Sequence, residues 1–262
     1  MNGVKRFFQQ AWLYYKGQYT QFSFQEVFIY RMALPLFTLI YYCMAAQYGF
    51  NSPRLTHWVI GNSFLLCTSQ GVFRLGLSFG DERFNGRLRT LVVSPHNKLA
   101  IVMEKSFVFI FEGLLTSSFG ILCGSLIFGI SFADVNLLTF AIVLISGMVA
   151  AMGFGMFLSA FGLVSDSMHF ILNVIYMAMT ILCGANFPVS DLPAAARAIS
   201  HMLPLTRSIQ AADMLFGTVD GVRLTSLLAQ EWGVGIAYLL LGFITVKVCE
   251  RIAIKRATLE MF

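Results

Sequence analysis

Apolar runs recur along the chain at roughly 29–49, 58–79, 105–130, 135–163, 168–187 and 232–250, each near the ~20 residues that carry a helix across a hydrocarbon core. The pattern predicts six membrane-spanning helices, the third and fourth long enough to tilt or to extend beyond the hydrocarbon. Ahead of the first run the periodicity is different. Val4, Phe7, Phe8, Ala11, Trp12 and Tyr15 recur at i, i+3, i+4, i+7 spacing, opposite Lys5, Arg6, Gln9 and Gln10, which predicts an amphipathic helix over 4–17. It is too polar to cross and suited to lying in the headgroup region.

Two connections carry more pattern than a turn requires. In 80–98, Phe84, Leu88 and Leu91 fall at i, i+4, i+7, with Glu82, Arg83, Arg87 and Arg89 around the other faces and Pro95 closing the stretch. That predicts a short amphipathic helix parallel to the membrane. The connection at 186–217 is too apolar for a solvated loop and too interrupted by Pro188, Pro193 and Pro204 for a span. Asp191 can cap a helix start with Pro193 in its first turn, and Pro204 splits the run in two. Irregular backbone at membrane depth survives only where protein or a water-filled cavity covers it, so 188–216 is expected to be a re-entrant helical hairpin.

Composition agrees with a membrane domain. Hydrophobic residues make up 57% and charged residues 12%, against about 45–50% and about 25% in soluble domains. The net charge of +5 does not form a nucleic-acid patch, because the basic residues sit at the ends of apolar runs. Lys5, Arg6, Lys16, Arg83, Arg87, Arg89, Lys98, Lys247, Arg251, Lys255 and Arg256 fall on one side of the predicted topology, and only Arg54, Arg197, Arg207 and Arg223 on the other. The basic-rich side is expected to be cytoplasmic, which puts both termini inside. The N-terminus has no compact apolar stretch with a cleavage site, so the first span is expected to direct insertion. Cys43, Cys67, Cys123, Cys183 and Cys249 lie inside apolar runs without metal-ligand spacing and are read as small buried hydrophobes.

The chain lacks a GxxxxGK[ST] loop, an HExxH motif and a GxSxG motif, and its histidines are scattered. Nucleotide energy must therefore come from another chain. Charges within or beside spans need explaining: Arg31, Glu104 and Lys105 lie near span ends and can snorkel. Glu112, two turns into the third span, and Arg74, near the inner end of the second, can form a buried pair, line a translocation path or lie at the interface. Gly76–Gly80 and Gly120–Gly124 have GxxxG spacing, which suits close helix packing within the subunit. The many aromatic residues suit either lipid-facing positions or an aromatic path.

Three segments together resemble a known family. DERFNGRLRTLVVSP (81–95) combines an acidic–basic pair, a Gly, a Leu and a closing Ser-Pro. CGANFPVSDLPAAARAISHMLPLTRSIQAADML (183–215) repeats Phe-Pro, Leu-Pro and a later Pro before the last span, and ERIAIKRATLE (250–260) is a basic tail. With the amphipathic start and six spans, the chain is similar to the type 2 ABC exporter permeases over essentially its whole length.

The resemblance implies an all-α membrane protein, a single transmembrane domain over 1–262. It implies an interface helix at 4–17, a cytoplasmic coupling helix within 80–98 and an external re-entrant gate at 188–216. Glu82, Arg83, Phe84, Arg87, Leu88 and Leu91 would contact the ATPase, and Pro188, Asp191, Pro193 and Pro204 would shape the gate. The expected protein is the permease subunit of an ATP-driven exporter in the bacterial plasma membrane, moving an amphipathic drug, peptide antibiotic or lipid-linked glycan. It would dimerise with itself or with a related permease and bind two ABC ATPase subunits. Those subunits would hold ATP and Mg, this chain no cofactor or metal and no nucleic acid. An ion-coupled secondary transporter or channel is the alternative, although repeated halves and mid-membrane acids are not evident. An intramembrane enzyme would need clustered acids or histidines, and Glu112 stands alone.

Overall fold

The computed structural model describes residues 3–19, 26, 29–49, 55–87, 90 and 98–256. Its described residues are helical with no strand, as the uninterrupted apolar runs require, because a helix satisfies its own backbone hydrogen bonds where water is absent. In chain order the helices are α1 (Gly3–Tyr19), α2 (Leu34–Gly49, entered through a π-type turn Ile29–Ala33), α3 (Leu55–Thr68, continued by a π-type turn Ser69–Arg74) and α4 (Ser78–Phe84). There follow α5 (Lys98–Phe128), α6 (Leu137–Ser159), α7 (Met168–Leu182), α8 (Ala194–Met202), α9 (Thr206–Met214) and α10 (Gly221–Arg256).

Three segments are long and apolar enough to cross a membrane by length and composition: Lys98–Phe128, Leu137–Leu163 and Gly221–Ala253. The last exceeds the predicted run of 232–250 at both ends. Conversely, the run predicted over 168–187 is helical only to Leu182, because Gly184 takes φ +82°, a left-handed conformation that ends a helix. α3 is the central helix, and every residue from Trp58 to Thr68 is buried.

Small residues set how closely the other helices approach it. A Cβ on Gly155 of α6 would fall 1.8 Å from the Gly71 carbonyl oxygen, and one on Gly153 would fall 2.6 Å from that of Gly235 in α10, so backbones touch directly. Gly76 faces Leu172, and Gly120 and Gly124 face Leu66 and Val59. Both GxxxG pairs therefore pack within the chain.

α1 lies against α5 through edge-to-face aromatic contacts, Phe7–Phe107 at 6.0 Å, Phe8–Phe107 at 5.2 Å and Tyr14–Phe109 at 6.0 Å. Ala11 is buried beneath them, while Trp12 and Leu13 stay exposed, as expected of an amphipathic helix whose remaining apolar face meets lipid.

Candidate functional site

The charged residues that the sequence places at one end of the bundle converge there. Lys98, at the start of α5, pairs with Glu250 near the end of α10 at 3.2 Å. Lys105, about two turns further along α5, donates to Glu82 at 3.1 Å and to the Ser78 carbonyl at 3.3 Å, with its ammonium 5.0 Å from the Tyr14 ring centre. Arg83 is 6% exposed; it pairs with Asp166, between α6 and α7, at 2.8 Å and donates to the Leu163 carbonyl at 3.4 Å. α4 is thus clamped to α5 on one side and to the α6–α7 turn on the other.

The arrangement revises several expectations. Glu104 and Lys105 do not snorkel; both are buried, and Lys105 is neutralised by Glu82. Arg83, expected to contact the ATPase, pairs with Asp166 within the chain. α4 stops at Phe84, with Asn85 as its C-cap and Gly86 at φ +68°. The Gly86 N–H donates to the Arg83 carbonyl and the Arg87 N–H to the Glu82 carbonyl, a Schellman closure that an Asn-Gly pair favours. Leu88, Leu91 and Arg89 lie outside the described residues. What remains at the tip is Phe84, 80% exposed, beside Arg87, which pairs with Glu82 at 3.0 Å.

Arg74 and Glu112 are brought together: an Arg74 guanidinium nitrogen donates to the Glu112 carboxylate. The same nitrogen donates to Gln70 at 2.8 Å, and the guanidinium lies 4.7 Å from the Phe109 ring centre. Arg74 closes the π-type turn of α3, a deviation often found at functional positions. Glu112 also borders a groove of about 380 Å³ between α1 and α5, walled by Phe8, Ala11, Trp12, Phe107 and Phe111.

At the opposite end, Pro188, Asp191, Pro193 and Pro204 shape the two-helix hairpin α8–α9. Asp191 does not cap α8. Its carboxylate accepts from Ser190 Oγ at 2.9 Å, and the N-cap is Pro193. Leu192 precedes a proline and is held extended at ψ 145°, as steric contact with the proline ring demands. Leu203 is extended for the same reason before Pro204, and Leu205 takes φ +73°.

The elbow is fixed from several directions. Thr206 donates to the Ser200 carbonyl at 2.8 Å, Ser200 to the Leu182 carbonyl at 2.6 Å, and Cys183 to the Pro204 carbonyl at 3.3 Å. The Leu205 N–H donates to Glu231 of α10 at 2.6 Å. Glu231 is fully buried; in the sequence it stands just ahead of the predicted run 232–250, with nothing local to single it out.

Asn62 of α3 bonds Asn186 at 3.0 Å, and His57 meets Asp213 of α9 at 2.5 Å. Burial lowers the His57 pKa, but the hydrogen bond and charge of Asp213 outweigh it and leave it raised above 6.5. Asp213 is itself raised by burial. Among the described residues no cluster of three or more His, Cys, Asp or Glu could hold a metal.

The family model described as ABC-2 type transporter matches residues 3–216. The chain belongs to that family. It is a type 2 ABC transporter permease, an integral membrane protein with a transport role, and membership implies an ABC ATPase as partner. The match takes in α1, the α4 tip and the hairpin, and ends before α10 with Glu231. No curated protein matches the chain.

Proposed function

We propose that this permease works in an ATP-driven exporter, crossing the membrane six times with both termini in the cytoplasm of a bacterial cell and moving an amphipathic substrate outward. ATP and Mg sit on two separate ATPase subunits, and a second permease, identical or related, completes the pathway. The interface helix is α1, the coupling element is the α4 tip, and the α8–α9 hairpin is the re-entrant external gate.

One observation carries the reading: Phe84 stands exposed at the end of a helix whose last turn is clamped by Arg83–Asp166 and Glu82–Lys105. An apolar anchor of that kind fits a partner groove. A push on it reaches α5 and the α6–α7 turn through short ionic contacts rather than through a slack loop, which is what a two-state transport cycle needs. The charge distribution supports the orientation, since the ion-paired end is also the basic-rich side.

The test is co-purification of the ATPase subunit with Phe84→Ala, alongside membrane yield. Normal yield with weakened association supports the reading, and undiminished association with full transport discards the docking role of Phe84. An ion-coupled transporter or channel would transport without any ATPase.

A further inference from the structure

At the hairpin end, a cavity of about 520 Å³ lies between the 184–201 segment, α9 and the start of α10. Arg197, Arg223, His201 and His57 line it, with Asp213 as the one acid among its walls. Asp213 is already engaged by His57. Arg197 is oriented by main-chain carbonyls alone, Ser190 at 2.6 Å and Leu192 at 3.2 Å. Those carbonyls aim its guanidinium without cancelling its charge. Among the described residues no carboxylate pairs with Arg197 or Arg223. His57 contributes a buried Nε2 with no hydrogen-bond partner among the described residues. Pro188, Val189, Met214 and Leu227 form an apolar part of the wall, with Ser190 and Gln210 as its uncharged polar members.

We propose that this cavity binds the phosphate headgroup of an amphiphile. Two guanidiniums without acidic partners, and an imidazole with a free nitrogen, make a cationic cradle matched to phosphate oxygens. The apolar wall beside it fits the first carbons of an acyl or prenyl chain, so the ligand is an amphiphile rather than the bare anion. The inference rests on the exporter reading for its meaning, since it gives the gate a headgroup contact as an amphiphile passes the outer end.

The test uses the full-length permease in neutral detergent and two fluorescent short-chain probes with the same acyl chains, phosphatidic acid and diacylglycerol. Tighter binding of phosphatidic acid is expected. Arg223→Gln is expected to weaken that binding roughly tenfold, the scale of one charge-assisted hydrogen bond, and to leave diacylglycerol binding alone. Among the described residues Arg223 makes no ion pair that holds the hairpin, so the variant is expected to keep the wild-type unfolding temperature; Lys247→Gln, elsewhere on α10, controls for net charge. Arg197→Gln supplies a second variant with the same expected direction. Equal affinity for both probes, no loss in either arginine variant, or displacement by inorganic phosphate at the concentration of the lipid overturns the proposal. ATPase co-purification with Arg223→Gln separates the two ideas. It tests the exporter reading alone and is expected to be unchanged.

Discussion

Replacing Glu231 with Leu and, separately, with Gln tests the hydrogen-bond acceptor at the elbow of the hairpin. Leu205 is fully buried and its N–H has the Glu231 carboxylate as acceptor at 2.6 Å. Gln keeps an acceptor oxygen at that place, whereas Leu fills similar volume and offers none. A buried donor left unmade costs about 1–3 kcal/mol. The elbow also carries Leu205 at φ +73°, and a non-glycine residue held there stores on the order of 1–3 kcal/mol of strain that surrounding contacts must sustain.

For a chain of this size roughly 2–4 °C of unfolding temperature corresponds to 1 kcal/mol. Glu231→Leu is therefore expected to unfold about 2–12 °C below Glu231→Gln, measured by thermal melting in detergent. A Leu variant as stable as the Gln variant would refute the assignment of Glu231 as the acceptor that holds the elbow.

Gly155→Ala is expected to destabilise by at least about 1–3 kcal/mol, because its Cβ would fall 1.8 Å from the Gly71 carbonyl; a drop in folded yield on size exclusion checks it. Lys105→Met leaves the partly buried Glu82 with the exposed Arg87 alone and is expected to lower stability more than Arg87→Met, since Lys105 is buried and Arg87 is 64% exposed. For the His57–Asp213 contact, a His pKa raised by folding adds stability below its unfolded value that is lost as pH rises through the folded value. A raised Asp pKa likewise disfavours folding once the acid ionises. Stability is thus expected to decline as pH climbs past 6.5 toward the raised value. His57→Phe is expected to flatten that slope in melts across pH, and an unchanged slope would remove the pair from the account.

The helices were legible because lipid and core demand the same apolar residues, so long runs stood out whether they end against lipid or inside the bundle. Arg74 and Glu112 could be matched from their depths along adjacent helices. The i, i+4, i+7 spacing that begins at Phe84 does not reveal that α4 ends there, at the stop signal of Asn85–Gly86. Lys105 was misread for a related reason: sequence gives a lysine's distance from a helix end but not the Glu82 carboxylate that lets it stay buried. Glu231 had no local signal, since its partner is the Leu205 N–H 26 residues away and exists only because Pro204 and a left-handed residue turn the chain there.

The seating of an ATPase on the α4 tip is tested most directly by site-specific photo-crosslinking from within the assembled transporter. A benzophenone side chain at position 84 is compared with one at Leu126, 78% exposed near the far end of α5. The account predicts a cross-link to the ATPase subunit from position 84 and none from position 126. A cross-link from position 126, or none from position 84 in a complex that retains the ATPase, would contradict it.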